Sequence, residues 1–230
     1  MNNLNNATPM KLYSGPLSMF GAKAEIAALE KGLDVELTMV PFEMKTLYQP
    51  KHPEVLRINP KRQVPVLIDG DLELFDSTQI FEYFETVKLE PALWPAEAKA
   101  RARARLLEHK SDEIYFPPVV RLMGLQATPD DPAALEARAA AASFYDEREK
   151  GLGTGEWLSG NYSYADIAFY MAQLFGERMG APMTAAHPRL KAWRERMGAR
   201  PAVRQVAGAM GRYLQSQGRK LPAFLAELSA

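Results

Sequence analysis

Two short segments carry the residue types of a ligand site. In NPKRQVPVL (59–67) a proline falls inside a strand pattern, where it has no N–H to give to a ladder. Composition alone describes an edge strand. The chemistry it permits is sharper: the Val64 backbone lies beside Pro65, which can adopt the cis form, so the Val64 amide and carbonyl can pair with an extended peptide ligand as an added strand. Lys61, Arg62 and Gln63, just upstream, would meet that peptide's carboxylate end. In LFDSTQIFEYF (74–84) a strand ends and a helix opens at Asp76 and Ser77. A helix cap, worth roughly 1 kcal/mol, accounts for part of this pattern. A helix amino terminus is also an anion site: a free α-carboxylate could rest on the Ser77 amide while Asp76 takes the neighbouring α-amino group.

Other chemistries are excluded or unsupported. With no cysteine in 230 residues, disulfides, thiolate metal sites, cysteine nucleophiles and CxxC redox chemistry are absent. Any thiol must arrive with a ligand. Lys plus Arg (28) equals Asp plus Glu (28), which removes the positive field that nucleic acid or an acidic membrane would need. His52, His109 and His187 lack metal-ligand spacing, so no metal is expected. GLGTG (151–155) follows no strand and reads as a loop, and Arg101, Arg103 and Arg105 spread around a helix as a solvated face. No run approaches the roughly 18 apolar residues of a spanning helix, and MNNLNNATP (1–9) has no signal-peptide pattern. The expectation is a cytoplasmic protein with a disordered extension over residues 1–9 and no membrane partner.

The elements that must position these segments follow from periodicity. Residues 10–88 alternate short apolar runs with helical patterns, the signature of an α/β unit. Met10 to Ser14 and Val35 to Val40 read as strands, and Ser18 to Gly32 as a helix with Ala22, Ile26 and Leu29 on one face. The stretch from Pro41 to Pro60, with four prolines, reads as a loop with little regular structure. Val64 to Ile68 and Leu72 to Phe75 flank Asp69, Gly70 and Asp71 as a hairpin, and a helix carries Ile80, Phe81, Phe84 and Val87. After a linker at 89–96 the composition turns to Ala, Arg, Glu and Leu, and residues 97–230 read as all-helical. A long helix at 96–124 must kink or break at Pro117 and Pro118; another spans 132–150; the one at 164–179 is apolar nearly all round and so central; two or three more follow.

Four segments in order, KLYSGPLSMFGAKAEIAALEKGL (11–33), the two described above, and GEWLSGNYSYADIAFY (155–170), make the chain resemble the cytosolic glutathione transferase superfamily over nearly everything beyond residue 9. The resemblance implies a thioredoxin-like α/β amino-terminal domain followed by an all-α domain, a cis Pro65, a homodimer, and glutathione as co-substrate held by Ser18, Lys61, Arg62, Gln63, Val64, Pro65, Asp76 and Ser77. The spacing from Leu12 and Tyr13 to Ser18 is similar to that of the theta- and tau-type serine enzymes, which makes Ser18 the catalytic hydroxyl. Ser14 and Tyr13 compete with it, although strand alternation lets at most one of them share the site's face. Ser18 would act as a hydrogen-bond donor to sulfur. A free thiol has a pKa near ~8.5, and each unit of lowering corresponds to about 1.4 kcal/mol of thiolate stabilisation. A hydrophobic electrophile is expected against Pro16, Met19, Tyr115, Phe116, Val119 and Met123. The KLYS opening also resembles glutathione-dependent β-etherases, which along with dehalogenase-type chemistry are alternative subfunctions; a non-catalytic binding member, like the stringent-starvation proteins, is the rival outside enzymes. Ser163 and Asp166 of SYAD match a buried helix capping box and are read as structural.

Overall fold

The computed structural model describes residues 9–230, so the extension expected at 1–9 lies outside the described residues except for Pro9. The chain divides into two compact units, the first ending at Pro91 and the second beginning at Ala92.

In the first unit β1 (Met10–Ser14), α1 (Met19–Glu30) and β2 (Val35–Met39) form a crossover with β1 and β2 parallel. β3 (Val66–Asp69) and β4 (Leu72–Phe75) are an antiparallel hairpin, with Gly70 at φ +60° supplying the left-handed residue of its tight turn. β3 also pairs antiparallel with β1, giving the order β2-β1-β3-β4, and α3 (Ser77–Val87) follows. This is the thioredoxin-like arrangement that the resemblance implies.

Alternation along β1 separates two cores. Leu12, with its cross-strand partner Leu67, is buried along with Ile26 of α1 and Ile80, Phe81 and Phe84 of α3. Tyr13 pairs with Val66 and joins the opposite cluster of Val40, Val55, Val66, Tyr48 and Phe75. Val55 belongs to α2 (Pro53–Ile58), a helix inside the stretch expected to be irregular. Prolines bracket rather than prevent it. Pro53 stands in its first turn, where no N–H is needed, His52 Nδ1 accepts the Glu54 N–H at 3.2 Å, and Pro60 lies beyond its end. Leu29 departs from its expected face and is 40% exposed, whereas Lys23 and Glu25 of α1 are buried. Lys31 is also fully buried and donates to Glu85 at 2.7 Å and to the Pro91 carbonyl at 2.9 Å, joining α1, α3 and the end of the unit.

The second unit is helical throughout its regular elements: α4 (Ala98–Lys110), α5 (Phe116–Arg121), α6 (Pro132–Leu152), α7 (Tyr164–Arg178), α8 (Pro188–Ala199), α9 (Pro201–Ser216) and α10 (Ala223–Ser229). The expected break falls between α4 and α5. Pro117 and Pro118 occupy the first turn of α5, and the chain widens into a π turn over Ser111–Tyr115 just before them. Proline cannot donate to the preceding turn, and the wider turn absorbs its ring. α7 is buried from Tyr164 to Gly176, the central helix that its apolar sequence demands. Its capping box forms, with the Asp166 carboxylate accepting the Ser163 N–H at 2.9 Å. The same carboxylate accepts the Leu158 N–H at 3.0 Å and the Trp193 indole N–H at 2.9 Å, so one side chain ties together the loop before α7, the helix itself and α8.

Candidate active site

The pairing register gathers the sequence-derived segments. Tyr13 stands opposite Val66, and Val66 opposite Phe75, so the end of β1, the start of β3 and the end of β4 share one end of the sheet. With neighbouring strands about 4.8 Å apart, the residues after Ser14, the Val64–Pro65 bond and the Asp76–Ser77 step span roughly 10 Å there.

Ser18 is the N-cap of α1, in extended conformation, and its Oγ accepts the Gly21 N–H at 2.9 Å. It is half-buried. An N-cap hydroxyl can keep this role and still donate its own hydrogen to an anion beyond the helix end, where the dipole favours negative charge. Its competitors are engaged elsewhere. Ser14 is fully buried and donates to Glu25, while the Tyr13 ring lies on the other face, 5.0 Å from the His52 ring.

The Val64–Pro65 bond is cis. Val64 is half-buried beside it, and Lys61, Arg62 and Gln63 are exposed. Asn59, which sequence reasoning passed over, shapes this stretch: its Nδ2 donates to the Gln63 carbonyl at 2.6 Å, its Oδ1 accepts the Lys61 N–H at 2.9 Å, and its carbonyl accepts the Arg62 N–H at 2.7 Å. An asparagine six residues before a proline is a faint signal, because only the folded loop brings its two ends to one amide. Asp76 caps α3, its Oδ1 accepting the Thr78 N–H at 3.0 Å. Its backbone lies at φ +77°, a left-handed value that few residues other than glycine adopt and one that concentrates at ligand sites. Tyr48, also overlooked, lies over Gly15, where a Cβ would strike its ring, and its hydroxyl accepts the Leu17 N–H at 3.3 Å.

The residues expected to meet an electrophile are less uniform. Pro16 and Phe116 are half-buried and Met123 is 49% exposed. Met19, Tyr115 and Val119 are buried and offer no surface. Tyr115 in particular is core: its ring packs 5.2 Å from Phe144 and 5.4 Å from Phe169, and its hydroxyl bonds to Tyr145. Tyr115 is the last residue of the π turn that precedes α5. Among the described residues no group of three His, Cys, Asp or Glu could hold a metal ion, and no helix is long and apolar enough to cross a membrane.

The sequence matches the descriptions "Glutathione S-transferase, N-terminal domain" over residues 8–86 and "Glutathione S-transferase, C-terminal domain" over 112–201. It is 33% identical over 213 residues to glutathione S-transferase 3 of Zea mays, covering 88% of this chain and 95% of that one. The chain belongs to the glutathione S-transferase family. A crystal structure of a glutathione S-transferase from Rhodospirillum rubrum superposes with a TM-score of 0.77 at 27% identity, covering 96% of this chain and all of the other. A glutathione S-transferase-I structure, bound with lactoylglutathione, matches with a TM-score of 0.72 at 27% identity over 88% of this chain and 100% of that one.

Beneath the family's helix start, burial pushes the Glu25 carboxyl up from 4.5 to about 7, against the Ser14 hydrogen bond, which favours the ionised form. The native state therefore holds this proton more tightly than the unfolded chain does. The stability it contributes is fully present below pH 4.5 and is lost as pH rises through about 7. The full difference is about 3 kcal/mol. Denaturant midpoints across this range should fall more steeply in the wild type than in Glu25→Gln; parallel profiles would contradict the assignment.

Proposed function

We propose that this chain is an active glutathione S-transferase of the serine type, in which the thiolate of bound glutathione attacks an apolar electrophile. The observation that carries this reading is the convergence, at one end of the sheet, of the Ser18 helix start, the cis Val64–Pro65 bond and the Asp76–Ser77 helix start. Each matches one part of the tripeptide. The extended Val64 backbone suits pairing with the cysteinyl residue as an added strand. The Ser77 amide and the Asp76 carboxylate suit the γ-glutamyl α-carboxylate and α-amino group, and Lys61, Arg62 and Gln63 the glycyl carboxylate. The cysteinyl sulfur then lies toward Ser18, where a hydroxyl donor and the α1 dipole together lower its pKa.

In this reading residues 10–88 form the glutathione-binding domain, 89–96 the linker and 97–230 the helical domain. The theta- and tau-like spacing of the first segment supports the serine type. Among the residues expected to meet the electrophile, Pro16 and Phe116 are half-buried and Met123 is exposed. Retention on immobilised glutathione together with turnover of a generic aryl halide supports the proposal; retention without turnover indicates a binding member, and a protein that shows neither is not a transferase.

A homodimer is the expected assembly. Val87 and Leu89 are 46% and 71% exposed beside the unit boundary, apolar surface of the kind that a second copy covers. Sedimentation at micromolar concentration should give twice the chain mass, and a monomer would refute it.

A further inference from the structure

The buried Ser14–Glu25 pair stands outside the machinery assigned above, yet it lies directly behind it. Ser14 ends β1 and donates its hydroxyl to Glu25, one helical face down α1. Its Oγ also presses against the first turn of that helix: a Cβ on Gly21 would collide with Ser14 Oγ and would lie 3.2 Å from Ser18 Cβ. Gly21 is the residue whose N–H is bonded to Ser18 Oγ at 2.9 Å. Contacts therefore run from Glu25 through Ser14 and Gly21 to Ser18 within about two turns of helix. Glycine is required at position 21, and the carboxyl is held behind the amino terminus rather than out in solvent.

We propose that Glu25, acting through Ser14, is a positioning residue for the α1 amino terminus whose negative charge opposes a second anion there, so that its protonation favours a thiolate beside Ser18. This rests on the transferase reading above. The argument is electrostatic. A helix amino terminus carries about half a positive charge, and a carboxylate placed behind it offsets that attraction. Two unit charges roughly 8–10 Å apart at an effective dielectric near 20 shift one another's titration by about one pH unit.

The other charged groups around α1 are committed in different directions. On α1 itself the Lys23 ammonium lies 5.4 Å from the Phe20 ring, Lys31 binds Glu85, and Glu30 sits at the far end. On β1, Lys11 pairs with Glu36 at 3.9 Å and Tyr13 faces the opposite core. On α3, Asp76 caps its own helix, Tyr83 bonds to Asp69, Glu85 holds Lys31, and Glu82 is half-buried. Burial and the Ser14 hydroxyl are what act on Glu25 itself, and they bring its titration to about neutrality, so the charge changes within the working range of an enzyme.

The test separates this proposal from the transferase reading by placing a thiol at the helix start without glutathione. Ser18→Cys is compared with Ser18→Cys/Glu25→Gln, following thiolate absorbance and alkylation rate against pH. The thiol of the double variant should titrate about one unit lower, and an inflection near pH 7 should vanish from its alkylation profile. Equal titration of two folded variants overturns the proposal. If the double variant does not fold, the Glu25 carboxyl carbon is followed by NMR in Ser18→Cys before and after the thiol is blocked with iodoacetamide. By reciprocal linkage the Glu25 midpoint should be higher when the thiol is instead alkylated with iodoacetate, which leaves a permanent anion, than with iodoacetamide, which leaves a neutral group, and equal midpoints overturn the proposal equally. In the wild type and Glu25→Gln, the thiol of added glutathione should shift in the same direction. A shift of the introduced thiol without one for glutathione upholds the role of Glu25 and counts against the transferase reading.

Discussion

Ser18→Ala should slow the thiolate-dependent step by roughly one to two orders of magnitude while weakening glutathione binding far less. The asymmetry follows from the geometry. The segments proposed to hold the tripeptide flank strands β3 and β4, with Val64 after the Asn59-braced loop and Asp76 at the start of α3, and neither depends on the Ser18 hydroxyl. What the hydroxyl supplies is one hydrogen bond to a charged sulfur, worth about 1.5 to 3 kcal/mol. The pKa of the bound thiol should rise in parallel, by one to two units. Part of the effect of the substitution is lost capping, since Ser18 Oγ also accepts the Gly21 N–H. Thermal midpoints measured alongside separate that share. Tyr13→Phe is the cleaner control, because its ring lies in the opposite core; Ser14→Ala removes the partner of Glu25 and will not be silent. If Ser18→Ala keeps the wild-type rate and thiol pKa while a control changes both, Ser18 is not the activating hydroxyl.

Asp166→Ala should lower stability by about 3 to 5 kcal/mol and leave glutathione affinity per folded molecule nearly unchanged. A capping box on its own would account for about 1 kcal/mol. The larger figure comes from the additional donors. Removing the carboxylate strands the Ser163 and Leu158 amides and the Trp193 indole N–H, all in or against a helix that water does not reach. Each buried donor left unpaired costs about 1 to 3 kcal/mol, with partial relaxation of the loop recovering some of it. Asp166→Asn should fall between, keeping one acceptor oxygen. A denaturation midpoint for Asp166→Ala equal to the wild type would refute this reading.

These two residues also show how far the sequence could be read. Asp166 was legible as a cap because Ser163 lies three residues before it, but the bond from Trp193 joins residues 27 positions apart and has no local trace. Ser18 was legible as the cap of α1 because it stands just before the first apolar helical residue. Glu25 was not: two turns along a helix its charge reads as a solvated position, and its burial depends on Ser14 from another element. The helix α2 was missed because prolines were counted as breakers, whereas Pro53 marks a start. The burial of Tyr115 is not legible locally, because a proline pair predicts a kink without its direction, and the π turn adds a residue to one turn and so changes which side chains face inward. Local punctuation therefore located most of the elements, and pairings distant in sequence decided which side chains remained available.

The buried amine of Lys31 makes the protein report on its own opening. Its side chain is inaccessible and bonded to Glu85 and the Pro91 carbonyl, whereas Lys61 stands exposed on the loop before the cis bond. An acylating reagent should modify the exposed Lys61 without any opening of the fold. It should reach Lys31 only when α1 and α3 part, so the ratio of the two labelling rates reads out the opening free energy of the first unit under native conditions.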